Sequence, residues 1–181
     1  GPQIARAKEF LSSAGYPDGK GLPPLEFETF IGGNSKEQAD MLARQLSQIG
    51  ISTKINFNHF PELGDKLHRN KAQFFGIAWN SDYPDAENNL AMFYGPNSGA
   101  MNHFHYQNPV YDALYRRAST MVDSPTRTKL YEEMRDIIIE DVPAIGALAR
   151  TRMYLWNPRL HSMKPSEIWY GWLKYLDVET R

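Results

Sequence analysis

Apolar and polar positions along the first half of this chain repeat with two different periods, and the switches between them mark out successive elements. Ile4, Ala7, Phe10, Leu11 and Ala14 recur at helical spacing, and Gly15 follows as a C-cap before the turn residues Pro17-Asp18-Gly19. Leu25 to Ile31 reads as a strand. Gly32-Gly33 leads into a helix capped by Asn34 or Ser35, with Ala39, Leu42, Ala43, Leu46 and Ile49 on one face and Gly50 at its end. From Ile51 to Phe57 the period drops to two. Ile51, Thr53, Ile55 and Phe57 face one way and Ser52, Lys54 and Asn56 the other, which predicts a strand with one buried face. A helix from Pro61 to Arg69 then leads to an apolar run from Gln73 to Trp79. Strand, helix, strand, helix, strand with short connections predicts right-handed crossovers and a parallel sheet.

The second half is mainly helical. Asp85 caps a short helix from Ala86 to Tyr94, and Gly95 to Gly99 is a loop. Asn108-Pro109 opens a helix to Val122 with Tyr111, Leu114, Tyr115, Ala118 and Met121 in one stripe. Asp123-Ser124-Pro125 breaks it and starts another, from Thr126 to Asp141, with Leu130, Met134, Ile137 and Ile138 inward. Ala144 to Ala149 reads as a further strand, and Ile168 to Val178 as an edge strand or a return crossing. No repeat, low-complexity tract or flexible linker interrupts residues 1–181, so they are expected to form a single domain.

The run from Phe74 through Trp79 is wholly apolar or glycine, as expected of a central parallel strand covered on both faces. It passes directly into the acidic, aromatic turn Asn80-Ser81-Asp82-Tyr83-Pro84-Asp85. Ligands of open α/β sheets lie outside the carboxyl ends of the strands. Trp79, Asp82 and Tyr83 occupy such an end, and an aromatic platform beside a carboxylate suits a cationic amine.

Composition narrows the classes. With 41% apolar and 23% charged residues the chain is globular, and a net charge of −1 argues against a nucleic-acid partner that depends on phosphate neutralisation. No apolar run approaches a membrane span. The absence of cysteine excludes disulfides and thiol chemistry. Gly1-Pro2-Gln3 does not read as a natural start, so the lack of a signal peptide says nothing about location. There is no nucleophile elbow, phosphate loop, dinucleotide fingerprint or metalloprotease helix, and no catalytic residue is assigned. Asp82 and Asp85 lie in one turn, too close to reach opposite faces of a glycoside. His103 and His105 would share a face of an extended segment, but His59, His68 and His161 are scattered, and no metal site is assigned. Asp112 and Arg116, four apart on a helix, read as a solvated pair. Trp156, Trp169, Tyr170, Trp172 and Tyr175 read as core or interface packing rather than a sugar platform.

Several segments in order resemble one family. They are Ala7-Lys8-Glu9-Phe10-Leu11 with Ala14-Gly15-Tyr16-Pro17-Asp18-Gly19, the run Ala39 to Ile55 through Gln48-Ile49-Gly50-Ile51, and Trp79-Asn80-Ser81-Asp82-Tyr83-Pro84-Asp85. Asn102, Tyr106, Asn108-Pro109, Tyr111-Asp112, Asp123, Arg127, Leu130-Tyr131 and Glu140-Asp141-Val142-Pro143 follow. Together they resemble the bacterial extracellular solute-binding proteins of family 5, the peptide- and nickel-binding group that feeds ABC importers. The resemblance implies an α/β fold of the periplasmic binding protein type II kind, here most of the C-terminal lobe of a two-lobe receptor. It implies a peptide-like or amine-bearing solute, a missing N-terminal lobe and an ABC transporter permease as partners, and no cofactor. It also implies a periplasmic or lipid-anchored location, with any membrane attachment outside this segment. In peptide-binding members an Asp three residues after the motif Trp pairs with the peptide α-amino group, which here is Asp82. Some members carry an Arg three residues before that Trp to meet the peptide carboxylate; this chain has Gly76. Receptors for sugars or nickel, and ligand-sensing lobes of transcription regulators, are the alternatives.

Overall fold

The computed structural model describes residues 3–149, 151, 153–162, 164 and 171–179, with the Trp172 side chain left aside. The chain divides into two compact units, one ending at Ala78 and the other beginning at Trp79.

The first unit is a small α/β layer. Helix α1 (Ile4–Ser13) is followed by β1 (Leu25–Phe30), α2 (Ser35–Ser47), β2 (Thr53–Asn58), α3 (Phe60–His68) and β3 (Phe74–Phe75). The three strands are parallel in the order β2-β1-β3, with Phe27 opposite both Ile55 and Phe74. The strand–helix–strand alternation therefore folds as its periodicity predicts. Helix α2 presents Ala39, Leu42, Ala43 and Leu46 as its shielded stripe. On α3, Leu63 and Leu67 form a core with Ala72, against which Phe30 and Phe75 pack.

The strand buried on both faces is β1, where Phe27, Glu28 and Thr29 are consecutively buried. The expected central strand, Gln73 to Trp79, is instead reduced to β3 at the sheet edge. Gly76 still donates its N–H to Glu28 O at 2.9 Å, but Ile77 and the residues after it are exposed. Gly76 is a packing requirement: a Cβ there would lie 2.8 Å from Cζ of the buried Phe27 ring.

Strand β2 corrects a second expectation. Thr53 and Ile55 are shielded and Lys54 is exposed, as alternation predicts, but Phe57 is 41% exposed and Asn58 only 2%. The reason is polar. Glu28 accepts hydrogen bonds from Asn56 at 2.8 Å, Asn58 at 2.7 Å and Lys66 at 3.0 Å, and Lys66 also donates to Asn58 Oδ1 at 2.6 Å. A charge is tolerated under α3 because it is paired and its remaining lone pairs are satisfied. Burial pushes the Glu28 carboxyl upward, but the Asn58, Lys66 and Asn56 donors outweigh it and hold it below its ordinary range.

The second unit is helical: α4 (Ala86–Leu90), α5 (Pro109–Ser119) and α6 (Pro125–Asp141). Tyr111, Tyr115, Ala118, Leu130 and Met134, from the stripes read in the sequence, form its core together with Ala91. Asn108 caps α5 by accepting from Val110 and Tyr111, and Ser124 caps α6 by accepting from Arg127. The buried Tyr111 hydroxyl donates to Leu90 O at 2.7 Å. Asp112 is not half of a solvated pair; it accepts the Gly95 N–H at 2.8 Å. The His103–His105 segment is a turn rather than extended, with His105 at φ 50° and its Nδ1 2.7 Å from Ser98 Oγ.

Helix α6 ends in a left-handed Val142, at φ 48°. The strand expected from Ala144 to Ala149 is irregular chain with Ile145 and Leu148 exposed. Apolar residues alone do not make a strand; a ladder partner must satisfy the backbone, and the described residues supply none here. Further on, β4 (Leu160–His161) pairs antiparallel with β5 (Asp177–Val178). Of the crossing expected at Ile168 to Val178, Ile168, Trp169 and Tyr170 lie outside the described residues; Trp172–Tyr175 is a 3-10 turn and only Asp177–Val178 is strand. Of the other tail aromatics, Trp156 and Tyr175 are exposed. No helix among the described residues is long and apolar enough to cross a membrane.

Candidate functional site

The turn from Trp79 to Asp85 opens the second unit, and α4 sets its shape. Asp85 is the N-cap: its Oδ1 accepts the Glu87 N–H at 2.9 Å. The same carboxylate accepts from Arg127 at 2.6 Å and from the Tyr131 hydroxyl at 3.0 Å, which ties the start of α4 to α6. Arg127 is itself held, donating through Nε to Ala118 O at 3.0 Å and lying 4.9 Å from the Tyr131 ring centroid. Burial pushes the Asp85 carboxyl upward, yet the Glu87 amide, Arg127 and Tyr131 together hold it below the usual carboxylate range. Arg127 rises in turn, chiefly through its bond to Asp85. A carboxylate committed in this way is no acid–base partner for Asp82.

Two phenols converge on Glu87. The hydroxyls of Tyr83 and Tyr115 each donate to one of its carboxylate oxygens, and Tyr115 stacks on Tyr94 at 4.4 Å. The bond to Glu87 is the main reason the Tyr83 hydroxyl titrates above its ordinary value. Asn88, 2% exposed, faces the other way along the turn. Its Oδ1 accepts from Trp79 Nε1 at 3.0 Å and from the backbone N–H of Asp82 at 3.3 Å. Both partners are N–H donors, which fixes the amide with its oxygen toward the turn.

The three residues singled out in the sequence are thus adjacent and unequal. Trp79 is 36% and Tyr83 43% exposed, but the polar atom of each is engaged within the unit. The Trp79 indole is hydrogen-bonded rather than only packed, and the Tyr83 phenol turns to Glu87 rather than resting on Trp79. The Asp82 side chain is exposed, and its carboxylate has no hydrogen-bond or ion-pair partner among the described residues. Sequence reasoning missed Asn88, Glu87 and Tyr115 as members of this cluster. It met Arg127 and Tyr131 only as landmarks of a resemblance. The available signal was an Asn placed inside a short helix, where it is a poor helix former and needs another reason to be there.

A cavity of about 480 Å³ lies elsewhere, lined by Pro23, Pro24, Glu26, Glu28, Lys71 and Phe74. It sits at the amino-terminal ends of β1 and β3, the side of a parallel sheet that ligands rarely use. Among the described residues no group of three or more His, Cys, Asp and Glu is placed to hold a metal ion.

Residues 2–101 match the model of the bacterial extracellular solute-binding proteins, family 5 Middle, and the chain belongs to that family. It is 28% identical over 166 residues to Di/tripeptide-binding protein 3 of Pseudomonas aeruginosa, covering 90% of this chain and 31% of that protein. It is 24% identical over 180 residues to the periplasmic murein peptide-binding protein MppA of Escherichia coli, covering 95% of this chain and 32% of that protein. Among solved structures, the E. coli murein tripeptide binding protein MppA superposes with a TM-score of 0.70 at 25% identity, over 77% of this chain and 27% of that one. A periplasmic oligopeptide-binding protein from Borrelia burgdorferi has the same fold, with a TM-score of 0.71 at 23% identity over 78% of this chain and 28% of that one. The chain spans 28% to 31% of the length of the di- and tripeptide-binding relatives it matches. The relatives cited here are named as binding proteins.

Proposed function

We propose that this chain is most of the C-terminal lobe of a two-lobe receptor that captures a peptide-like or amine-bearing solute and delivers it to an ABC importer permease. The receptor works outside the cytoplasmic membrane, in the periplasm or extracellular space, and any membrane anchor lies outside this segment. Asp82 holds the cation, Trp79 and Tyr83 shape the pocket, and no bond is made or broken. Lobe closure around the solute completes the site.

One observation carries this reading. Of the two carboxylates in the turn, Asp85 is fully engaged while Asp82 is exposed and without a partner among the described residues. A desolvated ammonium needs such a carboxylate, because a buried unpaired charge is costly and a charge-assisted hydrogen bond is strong. The names of the relatives, di- and tripeptide-binding and murein peptide-binding, support a peptide-like ligand.

The test is a thermal-shift panel on the full-length receptor and its Asp82→Ala variant, with di- to pentapeptides, their N-acetylated forms, sugars and nickel. A ligand that binds only the native state raises the melting temperature. Free-amine peptides are expected to raise it, with the effect lost on acetylation and in the variant. A sugar or metal shift that Asp82→Ala leaves unchanged would reject both the peptide reading and the role of Asp82.

A further inference from the structure

Trp79 and Asp82 share one buried neighbour, Asn88. The Asn88 side chain accepts the Trp79 indole N–H and the Asp82 backbone N–H on a single oxygen. Asn88 is in turn anchored, its backbone N–H donating to Asp85 O at 3.2 Å. Asp85 is itself clamped by Arg127 and Tyr131. Burying a side-chain amide is unfavourable unless it is hydrogen-bonded. The bonds found for this one run to the turn that precedes its helix.

We propose that Asn88 is the positioning residue of this site, holding the turn beneath the exposed Asp82 carboxylate. This rests on the reading of Asp82 as the amine anchor. One oxygen grips both ends of the segment from Trp79 to Asp82, so the backbone beneath Asp82 is set before a ligand arrives and little ordering remains to oppose binding. Trp79 and Tyr83 have their N–H and O–H occupied by Asn88 and Glu87, and they offer a ligand their ring surfaces alone. The chemical class that fits is a primary ammonium flanked by an apolar or planar group. An acceptor-rich group beside the amine finds no donor on these two rings.

The experiment uses the full-length receptor as wild type, Asn88→Leu and Asn88→Asp, with the dipeptide Ala-Phe and N-acetyl-Ala-Phe as probes. Solvent exchange of the Trp79 indole N–H, assigned by comparison with Trp79→Phe, is followed by nuclear magnetic resonance without ligand. The affinity ratio of the two probes is measured by calorimetry. Asn88→Leu is expected to speed indole exchange and reduce the preference for the free amine, each by about tenfold or more. Asn88→Asp keeps the acceptor oxygen and is expected to leave the indole protected. A folded Asn88→Leu protein with wild-type exchange and wild-type amine preference overturns the proposal. If Asn88→Leu does not fold, Asn88→Asp decides: a protected indole supports the clamp, and a folded variant with an unprotected one rejects it. Should the wild type show no amine preference, Asp82 loses its role, and indole exchange alone then decides for or against the Asn88 clamp.

Discussion

Glu28 in the first unit and Asp82 in the second are both carboxylates beside aromatic residues, and their surroundings treat them in opposite ways. Glu28 lies in the α/β layer with Asn56, Asn58 and Lys66 all donating to it. Asp82 lies on an exposed turn whose hydrogen-bonding capacity goes to its backbone and to its neighbours, not to its own carboxylate. Asp85, three residues on, repeats the Glu28 pattern, with Arg127 and Tyr131 in place of Lys66 and the asparagines. Residue type does not separate a carboxylate that the fold engages from one that it leaves exposed. What separates them is whether the fold supplies partners within hydrogen-bond reach.

The largest test of that difference is Lys66→Met. It strands the Glu28 charge under α3 and is expected to lower the midpoint of urea denaturation more than the other changes named here. Adding Glu28→Gln should restore most of that loss, since the uncompensated charge is then gone. A cost for Lys66→Met below about 0.5 kcal/mol would mean the network is effectively solvated. Next comes Arg127→Leu, which removes the bonds to Asp85 and Ala118 O. It is expected to cost about 2 kcal/mol and to weaken peptide affinity by loosening the start of α4. Unchanged affinity in that variant would disconnect the Asp85 clamp from the turn.

A smaller, graded effect is expected in acid. The Glu28 and Asp85 carboxyls titrate below their ordinary ranges in the folded protein, held there by their hydrogen-bond donors. The unfolded chain therefore binds more protons in that range, and stability is present above the unfolded values and lost as pH falls through the folded ones. Denaturation midpoints followed downward from pH 6 should fall below about pH 4.5. The fall should be shallower in Glu28→Gln. The smallest effect on stability belongs to Asp82→Asn, expected within about 0.5 kcal/mol of wild type because no described residue pairs with that exposed carboxylate. A larger loss there would mean that Asp82 is a structural residue and the contrast with Glu28 is false.

Much of the element order was legible because it rests on short-range pattern. The apolar stripes of α2, α5 and α6, and the caps Asp85, Asn108 and Ser124, depend on side chains within a few residues of one another. The errors fell where one segment depends on a distant one. Gln73 to Trp79 is apolar enough for a central strand but pairs through only Phe74 and Phe75. Ala144 to Ala149 is apolar enough for a strand but has no ladder among the described residues. Asn58 lies just past the strand read from Ile51 to Phe57 and is buried because Lys66 and Glu28 reach it.

The same division runs through the candidate site. The sequence by itself determined the α/β class, the family, and a turn carrying Trp79, Asp82 and Tyr83, since period, capping and motif order are properties of neighbouring residues. Only the tertiary structure decided which of those groups are hydrogen-bonded within the unit. That depends on Asn88, Glu87, Arg127 and Tyr131, brought to the turn from α4 and from α6 more than forty residues away. A hydrogen bond or ion pair acts over about 3 Å, so pairing depends on spatial approach, which sequence separation does not give.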